Sequence, residues 1–445
     1  MNHTMDKIVI SGGNKLQGSV KVSGAKNVAM KVILAGLLTN EEIIIHNVPL
    51  ISSVYGTCEI VKELGVKIDL NQNHTLKIKG NGNGSYTIPL ELGGLFRTAT
   101  MVIGPLLARF GHAVVPNPGG CRLGKRPIER HVEGLRAMGA RIDYKDGYFY
   151  ALADKLNGCK YRFARNTHTG TETMILAAVL ARGETILENA AEEPEINDLI
   201  LLLVQMGAKI KRVKPRTIIV SGVKKLRGTE YTIMPDRNEV VTFAIAAITT
   251  EGDVTVYGTQ RQYLKSFLAM LDETGAGWDP IDENTTRFYF KDRLRATKVT
   301  TGVFPGFMTD WQAPWALLMT KADGQSEIHE TVYEDRFGYV TELRKIGAKI
   351  DYFNPKVSNP LNYYNFNWSD RTSKNFHAVK IYGPTVLHNG VMEIMDLRAG
   401  ATLVLGALTA KGNSVLYGIN HIDRGYEKIE ERLRNLGADI QRIIR

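Results

Sequence analysis

Ile346-Gly347-Ala348-Lys349-Ile350 is the stretch that decides how this chain folds. An apolar helix end runs into a glycine, a small residue and the start of a strand. The glycine is read as the C′ residue of a helix, left-handed, turning the chain straight into a strand. The phrase recurs as Leu64-Gly65-Val66-Lys67-Ile68, Met138-Gly139-Ala140-Arg141-Ile142 and Met206-Gly207-Ala208-Lys209-Ile210. It recurs again as Thr274-Gly275-Ala276-Gly277-Trp278 and Leu436-Gly437-Ala438-Asp439-Ile440, six copies in all.

Working outward, a second phrase precedes the copies: an apolar helix, a short polar turn with glycine, then a strand. It is read at 171–181 with Gly183 and a strand at 185–187, and at 241–249 with Gly252 and a strand at 254–257. It is read again at 315–322 with Gly324 and at 399–410 with Gly412. From these glycines to the next repeat glycine is 24, 23, 23 and 25 residues, so the spacing is set by one helix and its flanking strands. The repeat glycines themselves are 74, 68, 68, 72 and 90 residues apart. The unit is therefore of βαβαββ type, about 70 residues long, and the chain is α/β. The long last interval holds an insertion, 354–376, rich in Asn, Ser, Pro, Tyr and Trp, read as a surface excursion on the hairpin of unit five. Six such units exceed one hydrophobic core. Two domains of three units each are expected: 1–22 with 236–445, and 23–235, crossing near Pro235.

Composition narrows the function. Of 445 residues, 44% are hydrophobic and 23% charged, which excludes a disordered, collagenous or coiled-coil chain. The 56 Lys and Arg against 46 Asp and Glu favour an anionic partner. Basic residues do not interleave with aromatics along one segment, so nucleic acid is not the expected partner. The ten histidines are dispersed and no metal or cofactor motif occurs, so none is expected. No apolar run is long enough to span a membrane. The first residues carry no signal-peptide core, and a cytoplasmic protein is expected.

Bases sit where helix dipoles disfavour them. Lys26, Arg97 and Arg398 fall at the starts of first helices in units one, two and six. Arg126 and Arg424 each precede their repeat glycine by 13 residues, and Arg336 precedes its own by 11, all at expected second-helix starts. Asp310 is expected to open the first helix of unit five. Equivalent positions of a repeated unit gather at one end of a domain, so these bases would form an anion site without a glycine-rich loop. Cys121 follows Pro118-Gly119-Gly120 and precedes Arg122, Lys125 and Arg126, neighbours that favour a thiolate. Cys58, within an amphipathic helix, and Cys159, beside Gly158 in an expected hairpin, are read as structural. Gly80 to Gly84 is read as a hairpin turn rather than a phosphate loop.

The chain resembles the UDP-N-acetylglucosamine 1-carboxyvinyltransferase family. The resemblance rests on Ser23-Gly24-Ala25-Lys26-Asn27, Pro118-Gly119-Gly120-Cys121 with Arg126-Pro127, Pro235-Asp236-Arg237, and Phe304 to Asp310. It continues through Glu330 to Phe337, Asp396-Leu397-Arg398-Ala399, and His421 to Glu427, over essentially the whole length. It implies two inside-out α/β barrel domains of three units each. It also implies transfer of the enolpyruvyl group of phosphoenolpyruvate to the 3-hydroxyl of UDP-N-acetylglucosamine, the first committed step of peptidoglycan precursor synthesis. A tetrahedral intermediate forms and a C–O bond breaks, so fixed cations can replace the metal of phosphoryl transfer. By resemblance Lys26, Arg126 and Arg424 clamp phosphoenolpyruvate, with Arg336 and Arg398 close by, and Arg97 contacts the sugar nucleotide or closing loop. Cys121 protonates the vinyl carbon, and Asp310 accepts or positions the proton of the sugar hydroxyl. Asn27, Pro127, Ile128, Glu129, Arg130 and Val332 fall on the UDP-N-acetylglucosamine side, as do Arg165, Thr167, His168 and Gly170. The chain departs from the family pattern at Glu129, in place of Asp; at Arg165 to Thr171; at Asn117, an extra residue; and in the 354–376 insertion. A sister transferase acting on shikimate 3-phosphate, a transferase with another nucleotide or nucleoside acceptor, and a non-catalytic anion-binding scaffold stand as alternatives. A monomer is compatible with the reading.

Overall fold

The computed structural model describes residues 6–80, 85–117 and 128–444. They divide into two compact units: the described residues of Met1–Ser23 and Pro235–Arg445, and those of Gly24–Gly120 and Arg126–Met234. Among the described residues six sheets carry the fold, three in each unit. All six repeat glycines are left-handed, with φ between 80° and 101°. Each stops its helix without the steric cost a Cβ would carry. Gly183, Gly324 and Gly412 are left-handed too. Unit four differs: Glu251 takes the positive φ, 57°, because a Cβ on Gly252 would meet the Leu16 carbonyl at 2.0 Å. The glycine there answers to crowding, and its neighbour makes the turn.

Four of the six sheets of the described residues follow one plan. A central strand pairs in parallel with an edge strand and antiparallel with the second strand of a hairpin. In the third sheet of the second unit, Glu184–Glu188 lies between Lys160–Arg162, in parallel, and Thr217–Ser221, antiparallel, with Lys209–Lys214 outermost. Cys159 therefore precedes a parallel edge strand rather than standing in the expected hairpin. The units close on themselves through distant segments. Lys7–Gly12 inserts between Gly412–Tyr417 and Asp439–Ile443, with Ile10 opposite both Ser414 and Ile440. Thr229–Thr232 completes the sheet of Glu42–His46, and Gln17–Lys21 that of Asp253–Tyr257.

Helices occupy the middle of each unit and sheets the outside. All thirteen residues of Arg237–Thr249 and all eight of Gln312–Met319 are buried, as are most of Leu397–Thr409. These three helices pack on one another. A helix that is apolar all round has no face to give to water, so it becomes the core. The strands alternate instead. Lys349–Phe353 exposes Lys349 and Asp351 around buried Ile350, and Asp439–Ile443 exposes Asp439 and Gln441 around buried Ile440. Trp311, Trp315, Phe267 and Phe307 meet edge to face at 5.4–6.0 Å and fill the space under the first two helices. Helix limits shift from the sequence reading by a few residues. The helix expected at 171–181 runs His168–Ala178 because the Thr167 hydroxyl caps it, accepting from the Gly170 N–H at 3.2 Å.

Candidate active site

In the first unit the central helices begin on carboxylates. Asp236 caps Arg237–Thr249 by accepting from the N–H groups of Asn238 and Glu239. Asp396 caps Leu397–Thr409 by accepting from Arg398 and Ala399. These caps offset the dipole that would otherwise oppose a base at the second helical position, Arg398. Asp310 does not open a helix directly. It lies in the short 3-10 turn Thr309–Trp311 that leads into Gln312–Met319.

Asp310 joins the set. The Arg336 guanidinium donates to its Oδ1 at 2.7 Å, and Arg398 Nε donates to its Oδ2 at 3.3 Å. Both arginine side chains are almost wholly buried, 4% and 8% exposed, while Asp310 keeps 27%. The carboxylate is thus the exposed tip of a buried ion cluster. Arg398 also donates to the Tyr426 hydroxyl at 2.9 Å, and that hydroxyl pairs with Thr242 at 2.7 Å. Burial works against the Arg398 charge, but Tyr426, Asp310 and Asp236 outweigh it and hold the group protonated. Arg336 is kept charged in the same way, by Asp310 and Asp396.

Glu330 braces the adjoining loop. It is 1% exposed, and its Oε1 accepts from the N–H groups of Val332 at 2.7 Å and Tyr333 at 3.0 Å. Its Oε2 accepts from the Thr309 hydroxyl at 2.8 Å, next to Asp310. Burial pushes its pKa up, against Arg336 and these hydrogen bonds. Val332 is therefore fixed relative to Asp310 through one carboxylate.

Two expected helix starts are corrected. Arg336 lies three residues ahead of Tyr339–Lys345, and Arg424 five ahead of Ile429–Asn435. Lys428, left-handed at φ 43°, delays the latter helix, and Arg424 sits half-buried in the turn before it. Its neighbour Asp423 is held by Arg442 at 2.7 and 2.9 Å.

The second unit gathers the other candidates about its own helix starts. Lys26 is the first residue of Lys26–Ala35, with no acid in that first turn. Arg97 stands at the N-cap of Thr98–Met101, Ile128 at that of Glu129–Ala137, and exposed Glu129 begins the helix. Arg130 donates to the Asn166 carbonyl at 3.2 Å, tying that helix to the 165–170 segment. Buried Lys31 donates to the Asn27 carbonyl at 2.7 Å and lies 3.3 Å from Glu172, which is wholly buried. Glu172 in turn pairs with His168 at 3.1 Å. Burial opposes the His168 cation, but Glu172 prevails and raises its pKa. Gly170 admits no side chain, since a Cβ would meet Thr167 at 2.5 Å. Cys121, Arg126 and Pro127 lie outside the described residues, and so does most of the 80–84 turn. Among the described residues no group of His, Cys, Asp and Glu is placed to hold a metal, and no helix is long and apolar enough to cross a membrane.

Beside this group His131 is wholly buried, its two ring nitrogens paired with Thr173 at 3.0 Å and Thr169 at 3.1 Å. Burial, with Arg97 and Arg130 adding to it, pushes its pKa from 6.5 down to about 3. An unfolded chain takes up that proton as pH falls below 6.5, and the folded chain does not, so stability falls with pH in that window. Between pH 7.5 and 5 this one group should remove about 2 kcal/mol. Chemical denaturation at the two pH values checks it: His131→Gln should shrink the difference by that amount, and an unchanged difference refutes the assignment.

Comparison with known proteins places this geometry. The model of the EPSP synthase (3-phosphoshikimate 1-carboxyvinyltransferase) family matches residues 10–433. The UDP-N-acetylglucosamine 1-carboxyvinyltransferase of Magnetococcus marinus is 41% identical over 439 residues, 99% of this chain and 100% of that one. The chain belongs to the UDP-N-acetylglucosamine 1-carboxyvinyltransferase family. Another member, from Idiomarina loihiensis, is 40% identical over 441 residues, again 99% of this chain and all of that one. The family fold extends to solved structures: the enolpyruvyl transferase NikO from Streptomyces tendae superposes with a TM-score of 0.87 at 23% identity, covering 99% of this chain and 100% of that one. EPSP synthase from Acinetobacter baumannii does so at 0.73 and 18% identity, covering 98% and 100%. The sequence reading missed Glu330, Tyr426, Lys31 and Glu172 as members of the site. Glu330 and Tyr426 lie in segments that carry the resemblance, but Thr309 and Thr242 meet them from 21 and 184 residues away, and Lys31 meets Glu172 only through the fold.

Proposed function

We propose that this chain transfers the enolpyruvyl group of phosphoenolpyruvate to the 3-hydroxyl of UDP-N-acetylglucosamine and releases phosphate, the entry step of peptidoglycan precursor synthesis. The observation that carries the reading is Asp310 held between buried Arg336 and Arg398, in a chain whose full-length relatives bear that activity in their names. The two guanidinium groups hold the carboxylate in place, where it can accept or position the proton of an attacking sugar hydroxyl. Cys121 supplies the other proton, to the methylene carbon of phosphoenolpyruvate, giving a tetrahedral adduct that still bears phosphate. The Cys121 thiolate then takes one proton back from the new methyl group as phosphate leaves, which restores the vinyl group on the sugar oxygen. Lys26, Arg126 and Arg424 hold the phosphate and carboxylate of phosphoenolpyruvate, and fixed cations stabilise the charge of the adduct. Arg97 contacts the sugar nucleotide. Asn27, Pro127 to Arg130, Arg165 to Gly170 and Val332 line the nucleotide side, where His168 adds a charge-bearing group at a helix start.

Phosphate release from phosphoenolpyruvate, assayed with UDP-N-acetylglucosamine, shikimate 3-phosphate and uridine, tests the reading. Release should require UDP-N-acetylglucosamine. Faster release with either of the others would replace the acceptor, and none with any acceptor would leave an anion-binding scaffold.

A further inference from the structure

The 23-residue insertion 354–376 joins Lys349–Phe353 to Ala378–Gly383, on the hairpin of unit five. Loops of that length inside a compact domain are uncommon unless they serve a function. This one is built around aromatic rings. Tyr364 stacks on Trp368 at 5.0 Å, with Phe366 at 4.8 Å, and the Arg371 guanidinium covers Trp368 at 4.2 Å. The His377 ring, buried just beyond the insertion, is boxed by these three rings at 5.1–5.5 Å. Burial pushes that imidazole down to about 4, so it stays neutral and part of the cluster.

The cluster grips three consecutive residues of the neighbouring strand end. The His329 ring stacks on Tyr363 at 5.3 Å, and its Nε2 pairs with the Tyr364 hydroxyl at 3.0 Å. The Glu330 N–H donates to the His377 carbonyl at 2.8 Å. The Asn365 N–H donates to the Thr331 carbonyl at 2.8 Å. Those residues lead directly into the Glu330 carboxylate that fixes Val332, Tyr333 and Thr309 beside Asp310.

We infer that the insertion is a brace for the 330–333 loop, and that Tyr364 and Asn365 are positioning residues that set the affinity for the acceptor. The inference rests on the proposed reading of Val332 and Asp310 as facing the nucleotide sugar. These contacts run to 329–331, so acceptor affinity should depend on the insertion more than phosphoenolpyruvate affinity does. Asn365→Pro removes the N–H that the insertion gives to the Thr331 carbonyl, while the two hydrogen bonds of Thr331 to Thr301 remain. Tyr364 before it is already extended, φ −86° and ψ 141°, the conformation a residue preceding proline prefers.

In steady-state assays Asn365→Pro should raise the KM for UDP-N-acetylglucosamine about three- to tenfold, the worth of one part-buried hydrogen bond. Its KM for phosphoenolpyruvate and its kcat should stay within twofold of the parent. Tyr364→Phe, which keeps the stack but loses the hydroxyl, should shift the acceptor KM in the same direction. An unchanged acceptor KM in both Asn365→Pro and Tyr364→Phe overturns the inference, as does an equal rise for both substrates. If the parent enzyme ignores UDP-N-acetylglucosamine, it is the functional reading that fails, and the same split is then read with the acceptor that supports phosphate release.

Discussion

Asp310→Asn is expected to cut kcat at least a hundredfold while leaving the enzyme folded, and Asp310→Ala to cost both activity and stability. The carboxylate is the shared counter-charge of Arg336 and Arg398, whose side chains are nearly inaccessible to water. Removing one member of a buried ion pair costs about 3–5 kcal/mol, because the remaining charge is left without solvent or partner. Asp310 itself is about a quarter exposed, so some of that loss is screened, and the alanine variant should lose about 2–4 kcal/mol. Asparagine fills the same space and its amide oxygen still accepts from one of the two guanidinium groups, though its NH2 then faces the other, so its melting temperature should drop less than that of the alanine variant. What it cannot do is take a proton, and general base catalysis is worth about 10²–10⁴ in rate. Thermal melts and steady-state kinetics on the two variants separate these effects. An asparagine variant with kcat within fivefold of the parent would show that this carboxylate positions the hydroxyl rather than receiving its proton.

The second expected result is complete inactivation by one covalent event. An epoxide analogue of phosphoenolpyruvate such as fosfomycin should alkylate Cys121 alone, and activity should fall in step with labelling. The selectivity comes from the other two thiols. Cys58 is 3% exposed within Ser52–Glu63, and burial pushes its pKa up to about 12, so on the order of one molecule in 10⁴ or fewer carries the thiolate at neutral pH. Burial also raises Cys159. Cys121 has Arg122, Lys125 and Arg126 beside it in the sequence, neighbours that lower a thiol pKa. Peptide mapping by mass spectrometry decides the matter. Label on Cys58 or Cys159 in step with inactivation, or full activity after Cys121 is labelled, would remove Cys121 from the reacting centre.

Much of this molecule was legible in the sequence, and the reason is that the decisive signals are local. A helix stop needs a left-handed residue, glycine adopts that conformation at little cost, and so Gly65, Gly139, Gly207, Gly275, Gly347 and Gly437 announce six units without reference to anything distant. The apolar runs at 241–249 and 399–410 announce helices by composition. Bases at Lys26, Arg97 and Arg398 stand out because a local rule, the helix dipole, disfavours them.

What the tertiary structure alone decided is everything that depends on which distant segments meet. No local signal says that Lys7–Gly12 will pair with Gly412–Tyr417 and Asp439–Ile443, some 400 residues on, since strand partners are chosen by the closure of a whole unit. The same holds for Asp310, whose partners lie 26 and 88 residues away, and for Glu330, a residue with no distinguishing spacing that becomes the fixed point of the loop beside it. Composition marked the 354–376 insertion only as a surface excursion. Packing turned its aromatic rings into a grip on His329, Glu330 and Thr331, because a buried polar backbone must find partners and the insertion is where they were found.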